Sequence, residues 1–169
     1  MHPLVEEEHK GFNISVFQDA DAESPNEWGD NSAFIVAFSS SQFWQVREGL
    51  KTPEDVEDWH ATHYVYNLYA YIHSGITLSL SEFSCVWDSG QIGYVIVTKD
   101  ENDIPFPEKC AEGLVESWNQ YLSGQVYSYK VEDNEGNLQD SLHGIYANEE
   151  TVLAEARAAA DWQKEKAEA

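Results

Sequence analysis

The sequence predicts an α+β fold in which about three helices pack on a single antiparallel or mixed sheet. Three observations point there. Residues 12–17 and 76–80 place apolar side chains at alternate positions, the period of a strand with one buried face. Residues 107–122 and 149–166 place them every three or four positions, the period of a helix docked by one side. The chain has 169 residues, close to the size of one domain, with no internal repeat and no linker to divide it. One acidic domain spanning residues 1–169 is therefore expected.

Taken in order, residues 1–11 are polar and acidic and are expected to be flexible. The first strand follows at 12–17, where Phe12, Ile14 and Val16 alternate. Residues 19–31 combine carboxylates with Pro25, Asn26 and Gly29, which reads as a long acidic loop around Trp28. Residues 33–38 are an apolar run without alternation, the mark of a strand buried on both faces. Thr52 and Pro53 then open a helix: Thr can cap, Pro suits the first helical position, and Glu54 and Asp55 favour the positive end of the helix dipole. Val56, Trp59, His63, Tyr66, Tyr69 and Ile72 recur at steps of three or four, so this helix is expected to run to Ile72 and stop at Ser74-Gly75.

Residues 76–80 and 92–97 read as strands, with 83–87 as a further candidate and 88–91 as a turn, so the centre is expected to be a β-meander. Pro107 opens a second helix that ends before Gly124 and docks through Ala111, Leu114, Val115, Trp118, Tyr121 and Leu122. Residues 126–131 and 138–146 form a hairpin across the turn residues 133–137. A last helix at 149–166 is built on Val152, Leu153, Ala156, Ala159, Ala160 and Trp162.

The charge is the outlier: 31 Asp and Glu against nine Lys and Arg give a formal net charge of -22. A field of that sign repels phosphate backbones and anionic lipid, so neither nucleic acid nor membrane is an expected direct partner. Self-repulsion also opposes folding, so such acidity invites an explanation beyond solubility, although a salt-adapted or simply solvated surface would look similar. Cys85 and Cys110 lack CxxC spacing, which argues against a disulfide framework or a thiolate zinc site and for a cytoplasmic setting. The N-terminus lacks the pattern of a secretory signal, and no stretch approaches 18 continuous apolar residues.

Signatures of common enzymes are missing: there is no GxxxxGK[ST], GxGxxG, GxSxG or HExxH. His60 and His63 are spaced to share a helix side, with Asp55, Glu57 and Asp58 as oxygen ligands nearby, but such helical pairs arise often by chance. Asp19-Ala20-Asp21-Ala22-Glu23 imitates the start of a calcium loop, yet Ser24 replaces the required Gly and Asp30 the closing Glu. No metal or cofactor is expected. A nucleophile could be assembled from Cys85 with His73 or His143 as base and Asp88 to orient it, although acidic surroundings raise a thiol's pKa. Spacing alone does not bring these residues together.

The stretches His73-Ser74-Gly75, residues 83–93 with Ser84-Cys85-Val86-Trp87-Asp88-Ser89-Gly90-Gln91, and Tyr121-Leu122-Ser123-Gly124-Gln125-Val126-Tyr127 resemble a family of uncharacterised proteins of phages and other mobile elements. The segment Glu23-Ser24-Pro25-Asn26-Glu27-Trp28 is similar to an upstream motif of that family. The resemblance spans residues 14–147 and implies a phage or plasmid origin, with no activity or catalytic residues to carry over.

An acidic protein of such origin suggests DNA mimicry, in which carboxylates on a rigid fold imitate phosphates and occupy the DNA groove of a basic host protein such as a restriction or CRISPR nuclease. The candidate partner-binding residues are Asp19, Asp21, Glu23, Glu27, Trp28 and Asp30; Glu54, Asp55, Glu57 and Asp58; and Asp100, Glu101 and Asp103, continued by Glu108 and Glu112. The setting expected is the host cytoplasm, and a homodimer stays open as a further association. The alternatives are an acidic interaction module without mimicry, or a small enzyme using Cys85, His73 and Asp88.

Overall fold

The computed structural model describes residues 1–28, 32–99 and 105–169. Its elements in chain order are β1 (Val5–His9), β2 (Phe12–Gln18), β3 (Ala33–Ser40), β4 (Phe43–Gln45), β5 (His63–Ile72), β6 (Ile76–Ser79), β7 (Ser89–Thr98), α1 (Pro107–Leu122), β8 (Val126–Glu132), β9 (Leu138–Tyr146) and α2 (Glu149–Glu168). Short 3-10 helices lie at Pro25–Glu27 and Pro53–Ala61.

The strands form two antiparallel sheets, ordered β1-β2-β8-β9 and β4-β3-β7-β5-β6, which corrects the single sheet expected from the sequence. The chain likewise divides into two compact units, Met1–Glu23 with Gly124–Ala169, and Ser24–Ser123. Period-two patterning identifies a strand and its buried face but does not choose its neighbour. Here β2 pairs with the distant β8, Asn13 opposite Glu132, and β3 pairs with β7, Phe34 opposite Ile96.

In the unit built from the chain ends, Ile14 and Val16 of β2 and Tyr129 and Val131 of β8 pack against Val152, Ala156 and Ala160 of α2. Asn148 caps α2 by accepting a hydrogen bond from the Thr151 amide at 2.8 Å. Residues 5–9, expected to be flexible, are instead the edge strand β1. Its anchors are non-local: Arg157 of α2 grips the Glu7 carboxylate with two hydrogen bonds of 3.0 and 2.7 Å, and Asp161 takes His9 Nε2 at 2.8 Å and Lys10 Nζ at 2.7 Å. The Arg157 hydrogen bonds hold the Glu7 carboxyl below its usual range, and those from Lys10 and His9 do the same for Asp161.

In the unit Ser24–Ser123, β3 is buried on both faces, as its unbroken apolar run predicts. Ile35 and Ala37 join Leu68, Val95 and Val97 under Ala111, Leu114, Val115 and Trp118 of α1. Phe34 and Val36 join Ile96 on the opposite face, covered by Leu50, Val56 and Trp59. The strand β7 lies between β3 and β5, so the expected β-meander does not form, and residues 83–87 are loop.

The helix expected to reach Ile72 begins as predicted but stops early. The Asp55 carboxylate accepts the Lys51 and Thr52 amides at 2.9 and 3.0 Å, fixing the start. The 3-10 helix ends at Ala61 and β5 takes over, because Tyr64, Tyr66, Leu68, Ala70 and Ile72 alternate onto the α1-facing core. Two asparagine side chains complete this sheet's edges. The Asn119 amide bonds the Leu78 N–H and C=O at 2.8 and 3.0 Å, and that of Asn26 bonds those of Ile35 at 3.0 and 2.8 Å.

Candidate functional site

Several residues chosen from the sequence as partner-binding carboxylates hold the backbone instead. Asp19 accepts the Gly144 amide at 2.9 Å and the Asp21 amide at 3.2 Å, tying the end of β2 to the bend in β9. Glu27 accepts the Ser24 amide at 2.7 Å within its own 3-10 turn. Asp55 has its carboxyl held below the usual range by the Lys51 amide foremost and then by the Thr52 amide. Asp21, Glu23, Glu54, Glu57 and Asp58 are exposed, and Trp28 is half-buried. Asp30, Asp100, Glu101 and Asp103 lie outside the described residues.

Two groups of exposed acids in Ser24–Ser123 lie on opposite faces of its sheet. Glu54, Glu57 and Asp58 ride on the 3-10 helix that covers the Phe34, Val36 and Ile96 face. Glu108, Glu112 and Glu116 are exposed on α1, which covers the other face. The sheet therefore separates the clusters, and no single flat stripe contains both. Glu116 was not among the sequence candidates, although its i,i+4 spacing from Glu112 makes the row readable. Successive carboxylates in that row stand about 6 Å apart along the axis.

Few cations neutralise these groups. Among the described residues, Lys or Arg pairs with a carboxylate within 4 Å at Lys10–Asp161 and Arg157–Glu7. Five other cations rest on aromatic rings: Arg47 over Phe34 at 3.5 Å, Lys99 over Tyr64 at 5.1 Å, Lys109 over Phe106 at 5.3 Å, Lys130 over Phe17 at 5.5 Å and Lys166 over Trp162 at 5.0 Å.

The proposed catalytic group is only partly assembled. His73 Nδ1 lies 3.4 Å from Asp88 Oδ2. Among the described residues, no hydrogen bond joins the Cys85 thiol to His73, and the Cys85 carbonyl accepts the Ser89 hydroxyl. His143 belongs to β9, in the unit that does not hold Cys85. A base without contact to its nucleophile does not activate it. The loop around Cys85 instead presents Val86 and Trp87, the latter 92% exposed. The His60/His63 pair also dissolves, because one sits on the 3-10 helix and the other opens β5 with Nδ1 2.8 Å from the Thr62 hydroxyl. Burial lowers the His63 pKa, as does Lys99.

One concavity was not anticipated from the sequence. A groove of about 970 Å³ runs along β4 within Ser24–Ser123, walled by Trp44, Arg47, Trp118 and Tyr121 and rimmed by Glu27 and Glu48. Phe43 meets Trp118 edge-to-face at 5.2 Å, and Trp118 meets Tyr121 at 5.6 Å.

No helix among the described residues is long and apolar enough to cross a membrane. No protein-family model, curated protein or solved structure matches this chain.

Proposed function

We propose that this chain inhibits a host DNA-binding protein, of the defence-nuclease type, by DNA mimicry inside the host cell. The observation that carries this reading is charge left open: a net charge of -22 with exposed carboxylates that have little internal cationic partnership. The α1 row Glu108, Glu112 and Glu116 offers fixed negative charges at a regular spacing, and a basic groove would be attracted to it over long range. The 3-10 cluster Glu54, Glu57 and Asp58 is a second face that the same partner would not reach at once, so one of the two dominates.

The test is capture of host proteins on the immobilised chain at low and high salt, with duplex DNA as competitor. Mimicry expects a DNA-binding protein that high salt releases and duplex DNA displaces. Replacing Glu108, Glu112 and Glu116 together by Gln is expected to weaken that partner by at least about tenfold, against little change for Glu54→Gln, Glu57→Gln and Asp58→Asn. A partner indifferent to both salt and DNA would replace mimicry with an ordinary acidic interaction module.

A further inference from the structure

The groove along β4 has unsatisfied chemistry in its wall. The Trp118 side chain is 1% exposed, and its Nε1–H is buried with no acceptor among the described residues. Arg47, also in the wall, lies on the Phe34 ring and has no carboxylate within 4 Å among the described residues, although the chain is strongly acidic. Arg47 calls for acceptors from outside, while Trp118 supplies a buried ring to the groove wall. Among the described residues, the strand that forms the groove has a neighbouring strand on one side only. Where Asn26 completes β3 and Asn119 completes β6, β4 ends the sheet order, with no further strand beyond it among the described residues. Trp44 is 53% exposed beside it.

We propose that this groove takes an extended, basic peptide segment of a partner protein, which adds as a strand along Phe43–Gln45. Main-chain carbonyls of an extended peptide are neutral acceptors, suited to the Arg47 guanidinium, and strand addition uses the edge of β4. Basic side chains suit the net charge of -22 and the rim carboxylates Glu27 and Glu48, whereas phosphate-bearing ligands, equally rich in acceptors, are repelled. The Trp44 ring offers a platform for an alternate side chain of the added strand. This site stands apart from the mimicry reading, since it uses a strand edge rather than a carboxylate row and is tested without any host protein.

The experiment is a titration of the full ¹⁵N-labelled chain, following the assigned indole N–H signals, with the peptide acetyl-(Lys-Val)3-amide. The expected result is a saturable shift of the Trp118 indole signal. It should weaken by about tenfold or more when alternate peptide nitrogens are methylated, and by a similar factor in Trp44→Ala. Because Trp44 is half-exposed, its replacement leaves the fold intact, which the unchanged remainder of the spectrum verifies. The Trp118 signal staying fixed up to about 1 mM peptide would overturn the proposal. So would equal binding of the methylated peptide, equal binding of acetyl-(Glu-Val)3-amide, or a Trp118 shift given by a neutral oligosaccharide such as maltoheptaose and not by the peptide.

Discussion

Gly93 of β7 occupies a place where no side chain fits, since a Cβ there would stand 1.9 Å from the Val36 carbonyl oxygen and 2.7 Å from the Ala37 Cα, both rigid backbone. Gly93→Ala is therefore expected to destabilise by at least about 1–3 kcal/mol, read from denaturant unfolding. Asn119→Ala removes both bonds to Leu78 and should cost a similar amount, about 1–3 kcal/mol, with faster amide exchange at β6. The carboxyls of Asp55, Asp133, Glu7 and Asp161 titrate below their ordinary values because amides and cations hydrogen-bond their charged forms. Their stabilisation is thus complete above the unfolded-state carboxylate values near about pH 4 and is lost as pH falls through the lowered folded values. Unfolding midpoints measured down to about pH 3 should fall in that window, less steeply for Asp55→Asn. Asp19, Glu27 and Asp55 also show why partner residues were hard to read. A carboxylate that holds a turn and one that faces a partner are the same letter, and only the amide in front of it tells them apart.

At the scale of elements, legibility followed local signals. Pro107 and Gly124 bracket α1 and the turn residues 133–137 join β8 to β9, so those elements stand where the sequence places them. The segment 63–72 carries two periods at once, because closely spaced aromatics satisfy a helical stripe and a strand face equally. What decided it was the α1-facing core, which takes Tyr64, Tyr66, Leu68, Ala70 and Ile72. Leu68 separates the two readings: it is off the helical stripe but fully buried in β5. Leu68→Ala should cost about 2–5 kcal/mol in thermal or denaturant unfolding, while Ala at the exposed neighbour Asn67 should change little. The strand β1 escaped notice for the opposite reason, since its partners Arg157 and Asp161 lie at the far end of the chain. The β4 groove was similarly hidden, being assembled from residues 24–27, 41–48 and 118–122.

For the whole molecule, the division into Ser24–Ser123 and the paired chain ends gives each unit a sheet and a helix of its own. The excised segment 24–123 is expected to fold alone, shown by a cooperative melt and dispersed amide signals; a featureless spectrum would mean that it depends on the rest. Self-repulsion acts on the entire chain, so its melting temperature should rise between low and moderate NaCl as screening sets in.

Because most cations rest on rings, the carboxylates must be balanced by the medium. Sodium or potassium ions gather beside them in solution, held loosely and without fixed sites. A basic partner would displace that cloud, and the freed ions would gain translational entropy, so association should be driven more by ion release than by heat. Calorimetry would then record a small enthalpy, and the affinity would fall along a straight line in the logarithm of salt concentration.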